Sequence, residues 1–250
     1  IKESLNLSKT SHFGTLDPKV TGVLPVALGR ACRLMPYFIG RKKKYVGVMR
    51  THVNIDFNNL EKEIQNFIGK IKQIPPVKSR VKREEREREV YYFKILECSG
   101  KDFLFETEVE AGTYVRKLVY DIGRNIEGAH MLELRRIEAG IFKEEESISI
   151  LDFLKIVQDY KNGDESGLRN VLIPGEIIST IYPVIFVKDN FKIKLQHGSP
   201  LFTDYIKDGT DIKVGDTFVV FCDSIFIGVF KRVSEGKIVG RPEFVLQPII

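Results

Sequence analysis

A chain of 250 residues with 43% hydrophobic content and a net charge of +5 can bury a sizeable core, either as one large domain or as a medium domain with a small one. Three widely spaced cysteines, Cys32, Cys98 and Cys222, with no CxxC pair, exclude a disulfide framework and a thiolate zinc site and point to a reduced, cytoplasmic setting. No apolar run approaches the length of a membrane span and no signal peptide is visible, so no membrane partner is expected.

The charge is uneven. Residues 1–50 carry a net +8, residues 51–90 +2, residues 91–179 −6 and residues 180–250 +1. A basic cluster is the footprint of a polyanion such as nucleic acid, and equally of a solvated lysine-rich face. The chain starts at Ile1 rather than Met, and further residues upstream are expected.

The first motif is His12-Phe-Gly-Thr-Leu-Asp-Pro-Lys-Val-Thr-Gly22. Pro18 fixes its own φ and pushes Asp17 toward extended geometry, while Gly14 and Gly22 permit close backbone approach. No Lys-Ser/Thr follows the second glycine, so this is not a phosphate loop. It is either an ordinary Asp-Pro turn or a turn built to present one carboxylate.

Residues 22–28 read as a buried strand leading into a helix around 30–38. The basic run Arg41, Lys42, Lys43, Lys44 precedes an alternating stretch from Tyr45 to Met49. A tyrosine beside lysines suits base stacking with phosphate contacts, or a core tyrosine next to an exposed turn. Asn58-Asn59 can cap a helix with Leu60, Ile64, Phe67, Ile68 and Ile71 on one face, which Gln73-Ile-Pro-Pro-Val77 must end. Residues 78–89, almost all charged, read as an exposed arm. Residues 90–97 and 103–110 read as two strands around a Ser99–Asp102 turn. Gly112-Thr113 then opens a helix with Val115, Leu118, Val119 and Ile122 inward, which leaves Tyr114 and Arg116 at its start. Arg116 is a surface arginine or a partner for a carboxylate or phosphate. A strand follows at 131–137, and Ser149 with Asp152 forms a capping box for a helix at 151–160. From residue 181 the pattern changes to short β pieces at 184–187, 217–222 and 226–230 between Gly/Asp turns. His12, His52, His130 and His197 lack metal-ligand spacing, so no metal is expected.

Five blocks occur in one order: HFGTLDPKVTGVLPVALGRACRL, KKKYV, IPPVKSRVKRE, EAGTYVRKLVYDIG and GAHMLELRR. Together they resemble the TruB/dyskerin family of pseudouridine synthases from roughly His12 to Ile178. The resemblance implies an α+β fold, with a mixed or antiparallel central sheet flanked by helices in a catalytic domain over residues 1–179. It implies that Asp17 is the catalytic nucleophile, that Arg116 pairs with it, and that Tyr45 stacks on the base and can relay a proton. Tyr114 and Leu134 would line the pocket, and His12 would fill the space left by a flipped base. Arg41–Lys44 and the thumb-loop residues Lys78, Arg80, Lys82 and Arg83 would grip RNA. The reaction needs no cofactor.

The tail, with His197-Gly-Ser-Pro-Leu, Val214-Gly-Asp and Gly228, looks like the small β-barrel RNA-binding module named PUA over residues 180–250. The blocks PPVKSRVKREERERE and EAGTYVRKL look closest to the archaeal H/ACA branch, which implies a guide RNA, small ribonucleoprotein partners, and tRNA or rRNA as substrate. A stand-alone enzyme of the tRNA T-loop and a non-catalytic RNA-binding scaffold are the alternatives. Two departures from the family pattern stand out. Phe13 occupies a position where the family has Ser or Thr, which places bulk beside His12, and the family's upstream Lys-Pro segment is absent.

Overall fold

The chain opens with three short strands, β1 (Thr10–His12), β2 (Val20–Gly22) and β3 (Val26–Leu28), and β1 pairs antiparallel with β3. The computed structural model describes residues 1–76 and 81–247, in two compact units, Ile1–Leu168 and Arg169–Ile250. After a 3-10 segment (Gly29–Leu34), the first unit continues with α1 (Met35–Ile39), β4 (Lys43–Thr51), α2 (Phe57–Gln65), β5 (Gly69–Gln73), β6 (Arg86–Ser99) and β7 (Asp102–Val109). It closes with α3 (Val115–Arg124), β8 (Ala129–Ala139), β9 (Phe142–Lys143) and α4 (Ile150–Lys161). The sheet runs β2-β8-β4-β7-β6-β5, with β9 on β8, and only β2 lies parallel to its neighbour. The architecture is therefore mixed α+β.

Alternation sets the two faces of this sheet. In β7, Phe103, Phe105, Thr107 and Val109 are buried while Asp102, Leu104, Glu106 and Glu108 turn outward. The inner face meets the apolar stripe of α3, Val115, Leu118, Val119 and Ile122, together with Met49, Leu60 and Ile64. Phe93 stacks on Phe105 at 4.5 Å. On the outer face Lys42 pairs with Glu108 at 2.9 Å, Arg50 with Asp102 at 2.6 Å, and Lys44 with Glu138 at 3.6 Å. The hairpin at Gly100, the inward face of α3 and the Ser149 cap lie where the sequence places them; the Ser149 hydroxyl accepts from Asp152 N at 3.1 Å.

Three expectations change. The helix expected to run through Ile71 ends at Gln65, and its cap is Asp56, whose carboxylate accepts from Asn58 N at 3.0 Å, rather than Asn58 or Asn59. Gly69, at φ +90°, turns the chain into β5, where Ile71 faces Arg88 of β6. Of the charged arm, residues 81–85 belong to no strand or helix, but Arg86–Glu89 belong to β6. Lys70–Glu87 and Lys72–Glu85 ion pairs at 2.9 and 3.0 Å lace the β5/β6 ribbon. Phe13, expected to place bulk beside His12, is buried instead, stacked on Phe38 at 5.1 Å and tilted against Phe142 at 5.9 Å.

The second unit contains a six-stranded mixed sheet of β10 (Val184–Val187), β11 (Leu201–Phe202), β12 (Ile206–Gly209), β13 (Thr217–Cys222), β14 (Ile225–Glu235) and β15 (Ile238–Val245). Its order is β11-β15-β14-β13-β10-β12, around a core that includes Phe218, Val220, Ile227 and Phe230. Gly228 is required by contact, since a Cβ there would lie 2.2 Å from the Phe244 carbonyl oxygen. No helix among the described residues is long and apolar enough to cross a membrane.

The Phe13 cluster predicts that Phe13→Ser, which installs a family-like residue, lowers stability by about 3 kcal/mol through a cavity and a buried hydroxyl. Urea unfolding should show a lower midpoint with an unchanged slope.

Candidate active site

The loop from Gly14 to Val23 carries Asp17 and is held from below by one side chain. Arg136, on β8, is 1% exposed. Its guanidinium donates to three main-chain carbonyls of this loop: Nε to Val23 at 2.9 Å, Nη2 to Gly14 at 3.0 Å and Nη1 to Thr15 at 3.3 Å. The two main chains also bond directly, since β2 lies along β8 and Val23 N donates to Arg136 O at 2.9 Å. Gly22 is obligatory here. It sits at φ +102°, and a Cβ would lie 2.0 Å from the Arg136 carbonyl oxygen.

Between these anchors the chain makes a tight turn. Asp17 O accepts from Val20 N at 3.0 Å, Pro18 occupies the second position, and Lys19 takes φ +67° at the third, in the manner of a type II turn. A lysine in that region costs about 1–2 kcal/mol, so the turn is held by its surroundings rather than by its own preference. The Asp17 side chain is exposed at the apex.

Tyr45 lies on β4, opposite Arg136 in the β4/β8 pairing. Burial raises its phenol pKa above the ordinary value; the neighbouring Arg136 guanidinium opposes that rise, and the Asp17 carboxylate adds to it. The phenol is therefore neutral at physiological pH. Leu134, two residues before Arg136 on the same strand, is buried and pairs with Val20 on one side and Gly47 on the other, so it floors the turn. A side chain at Gly47 would collide with the Phe105 ring at 2.7 Å and the Glu133 carbonyl at 2.8 Å.

The third contribution comes from α3. Tyr114 is its N-cap, and both main-chain groups of Tyr114 are held by the buried Gln73 side chain: Oε1 accepts from Tyr114 N at 3.0 Å and Nε2 donates to Tyr114 O at 3.3 Å. Gln73 thus acts as a side-chain imitation of a neighbouring strand. From the next turn, exposed Arg116 reaches the loop, where Nη2 donates to the Pro18 carbonyl at 3.4 Å rather than to the Asp17 carboxylate.

The structure thus gathers Asp17, Tyr45, Leu134 and Arg116 around one turn and fixes Tyr114 at the start of the helix that supplies Arg116. His12 is exposed at the end of β1. The basic residues expected to grip RNA lie in different settings. Lys42 and Lys44 lie on the outer face with glutamate partners, and Lys42 also sits 3.8 Å over the Tyr91 ring. Lys43 is buried, donating to the Arg41 carbonyl at 2.6 Å and the Ile39 carbonyl at 3.3 Å, while the Arg41 side chain packs against Gly140. Lys82, paired with Glu84, and Arg83 are exposed before β6; Lys78 and Arg80 lie outside the described residues. Among the described residues no group of three or more His, Cys, Asp and Glu could hold a metal ion.

Arg136 and Gln73 are the site residues that sequence reasoning missed. Arg136 had a signal: it stands two residues from Leu134, so strand alternation turns it inward with that leucine. Gln73 had none, because a strand-end glutamine before Pro-Pro gives no hint of a partner 41 residues away.

Such a turn, presented over a neutral phenol and reached by a helix-borne arginine, suits the pseudouridine synthases, the isomerases that rearrange uridine in RNA. Comparison with known proteins agrees. Residues 2–64 match the TruB family pseudouridylate synthase N-terminal domain and residues 116–179 the tRNA pseudouridylate synthase B C-terminal domain. A probable tRNA pseudouridine synthase B of Pyrococcus horikoshii is 42% identical over 224 residues, 88% of this chain and 67% of that protein. One of Sulfurisphaera tokodaii is 40% identical over 259 residues, covering 99% of this chain and 77% of that protein. The chain superposes with a TM-score of 0.88 on the structure described as a Cbf5-Nop10-Gar1 complex, at 37% identity over 99% of this chain and 79% of that one. It superposes at 0.87 on an H/ACA RNP bound to a substrate RNA containing 2'-deoxyuridine, at 35% identity over the same shares. The chain belongs to the TruB family of pseudouridine synthases.

Two outcomes follow from the floor of the site. Arg136→Met leaves three carbonyls without their donor, at about 1–3 kcal/mol per unmet group. Turnover should fall by about 100-fold or more, and Arg136→Lys should not restore it, because an ammonium cannot span the fork. Single-turnover kinetics at saturating RNA reads this.

Lys43 supplies the second outcome. Burial, assisted by the neighbouring Arg136 charge, brings its pKa down from 10.5 to about 8. The unfolded lysine therefore holds its proton more tightly than the folded one. Stability should rise with pH between about 8 and 10.5, by up to about 3 kcal/mol, and be fully gained only above the unfolded value. Unfolding titrations across that window should show the rise in the native protein and its loss in Lys43→Met.

Proposed function

We propose that Asp17 is the nucleophile of uridine isomerisation and that the turn held by Arg136 exists to present it. The reaction breaks the N1–C1′ glycosidic bond, turns the ring within the pocket and forms a C5–C1′ bond; the C5 proton leaves and N1 gains one, with no net redox change. One carboxylate suffices for this as a covalent catalyst. Tyr45, neutral and facing the turn, stacks on the extruded base and relays the C5 proton. Tyr114 and Leu134 wall the pocket, and His12 fills the helix gap left by the flipped base. Arg116, already at the Pro18 carbonyl, swings one residue to the Asp17 carboxylate when substrate is bound. The observation that carries this reading is the three-carbonyl clasp of Arg136 beneath Asp17, with Tyr45 opposite it in the strand pairing.

The RNA grip is assigned to Lys82 and Arg83 of the β5–β6 connection, with Lys78 and Arg80 beside them in sequence, and to Arg41. Residues 180–250 are assigned to a PUA-type RNA-binding module, and the setting to the cytoplasm. The likeness to structures with Nop10, Gar1 and a substrate RNA supports a role as the catalytic subunit of an H/ACA guide ribonucleoprotein. The names of the curated relatives support a second reading, a stand-alone enzyme on tRNA.

Tritium release from RNA labelled at uridine C5 separates the readings. Asp17→Asn should abolish release while RNA affinity stays within about twofold. Release on tRNA alone establishes the stand-alone enzyme, whereas release only with guide RNA and partner proteins establishes the H/ACA subunit. Binding without release by native protein in either setting would leave an RNA-binding scaffold.

A further inference from the structure

A small pocket of about 90 Å³ opens where the β5/β6 ribbon meets the start of α3. Its wall consists of Gln73, Pro75, Val81, Arg86, Arg88, Gly112 and Tyr114. It is far smaller than the roughly 300–1,000 Å³ of sites for whole small-molecule ligands. Among the described residues two arginines line it and no carboxylate does.

Hydrogen-bond accounting marks the same place. Two buried side-chain polar atoms lack a partner among the described residues, Arg88 Nε and Thr113 Oγ1. Arg88 is on the pocket wall, and Thr113, 9% exposed, lies in the chain between the wall residues Gly112 and Tyr114. The remaining contacts of Arg88 are modest: Nη1 donates to Glu87 O at 2.7 Å and lies 3.9 Å from Glu110 Oε1. Arg86 donates to Lys82 O at 3.4 Å. A buried guanidinium nitrogen without an acceptor is costly, and two arginines facing one small space repel each other unless an anion joins them. Gly112 matters as well. It sits at φ +84°, and a Cβ there would come 3.2 Å from Arg88 Nε and Nη2, across the face that needs an acceptor. The N-terminus of the ten-residue α3 adds a favourable dipole for an anion.

We propose that this pocket binds a single backbone phosphodiester of the RNA, clasped by the Arg86 and Arg88 guanidiniums at the base of the ribbon. The proposal rests on the reading of RNA as substrate and extends it to a residue-level contact. Because Gln73 lines the pocket and also holds Tyr114, the phosphate seats the RNA strand at a fixed offset from the residues that wall the base pocket.

The test compares Arg88→Gln with Arg50→Gln, which removes an equal charge from the exposed Arg50–Asp102 pair. RNA affinity is measured across a salt series on the full chain, with the substrate, guide and partners on which native protein turns over. Arg88→Gln should weaken binding about tenfold and reduce the log–log salt slope by about 0.7–0.9, the share of one phosphate, while Arg50→Gln changes neither by more than about twofold. The KM for tritium release should rise by the same factor as Kd. If Arg88→Gln melts well below native protein, Arg86→Gln carries the same expectation from the opposite wall. Equal behaviour of the Arg88 and Arg50 variants overturns the proposal. It is also overturned if inorganic phosphate at matched ionic strength raises the melting temperature of native protein but not of Arg88→Gln while RNA binding is the same in both, since the pocket then serves a free anion. Absence of tritium release by native protein sinks the catalytic reading instead, and the pocket is then judged on the salt slope alone.

Discussion

A guanidinium buried under a loop and bonded only to main-chain oxygens is the constraint on which this enzyme's site depends. Taking a cation out of water costs several kcal/mol unless its donors are satisfied. Arg136 meets that cost with the carbonyls of Gly14, Thr15 and Val23. Arginine cannot escape by losing its proton, whereas the neighbouring Lys43 is pushed toward losing its own, first by burial and second by the Arg136 charge. The same clasp overrides the local preference of the turn, where Lys19 takes a backbone conformation that glycine adopts more readily.

The sheet divides its labour by face. Inward positions of β4 and β8 supply Lys43, Tyr45, Leu134 and Arg136, so the site is an extension of the core rather than an addition to its surface. Outward positions of the same strands supply Lys44, Arg50 and Arg135, each with an acidic partner. Strand alternation alone separates the floor beneath the Asp17 turn from an ion-paired face one residue away.

How much of this was legible in the sequence depended on whether the signal was local. The β6/β7 hairpin, the inward stripe of α3 and the Ser149 cap follow from spacing within a few residues, and they are where they were expected. The end of α2 was misread because Phe67, Ile68 and Ile71 continue a helical spacing; only Gly69 marks the switch to β5, where cross-strand pairing decides the conformation. Phe13 was misread because its partners, Phe38 and Phe142, are far away in the chain. Asp17, Tyr45, Tyr114 and Arg116 stood out by local spacing and took their roles from resemblance, and the structure supplies what resemblance lacks. Arg116 rests on the Pro18 carbonyl, and the basic run at Lys42–Lys44 is occupied by glutamates and main-chain carbonyls.

The clasp beneath the turn recognises no side chain of the loop. Arg136 reads three carbonyl oxygens, and a carbonyl is the same on every residue. Thr15 can therefore change its side chain without loosening the loop, whereas Gly22 is pinned by the collision that any Cβ would make with the Arg136 backbone. Freedom to vary in this segment is thus set by main-chain geometry, with tolerant and intolerant positions interleaved along a few residues. A substitution map of the loop would trace the backbone beneath it more closely than it would trace distance from the carboxylate.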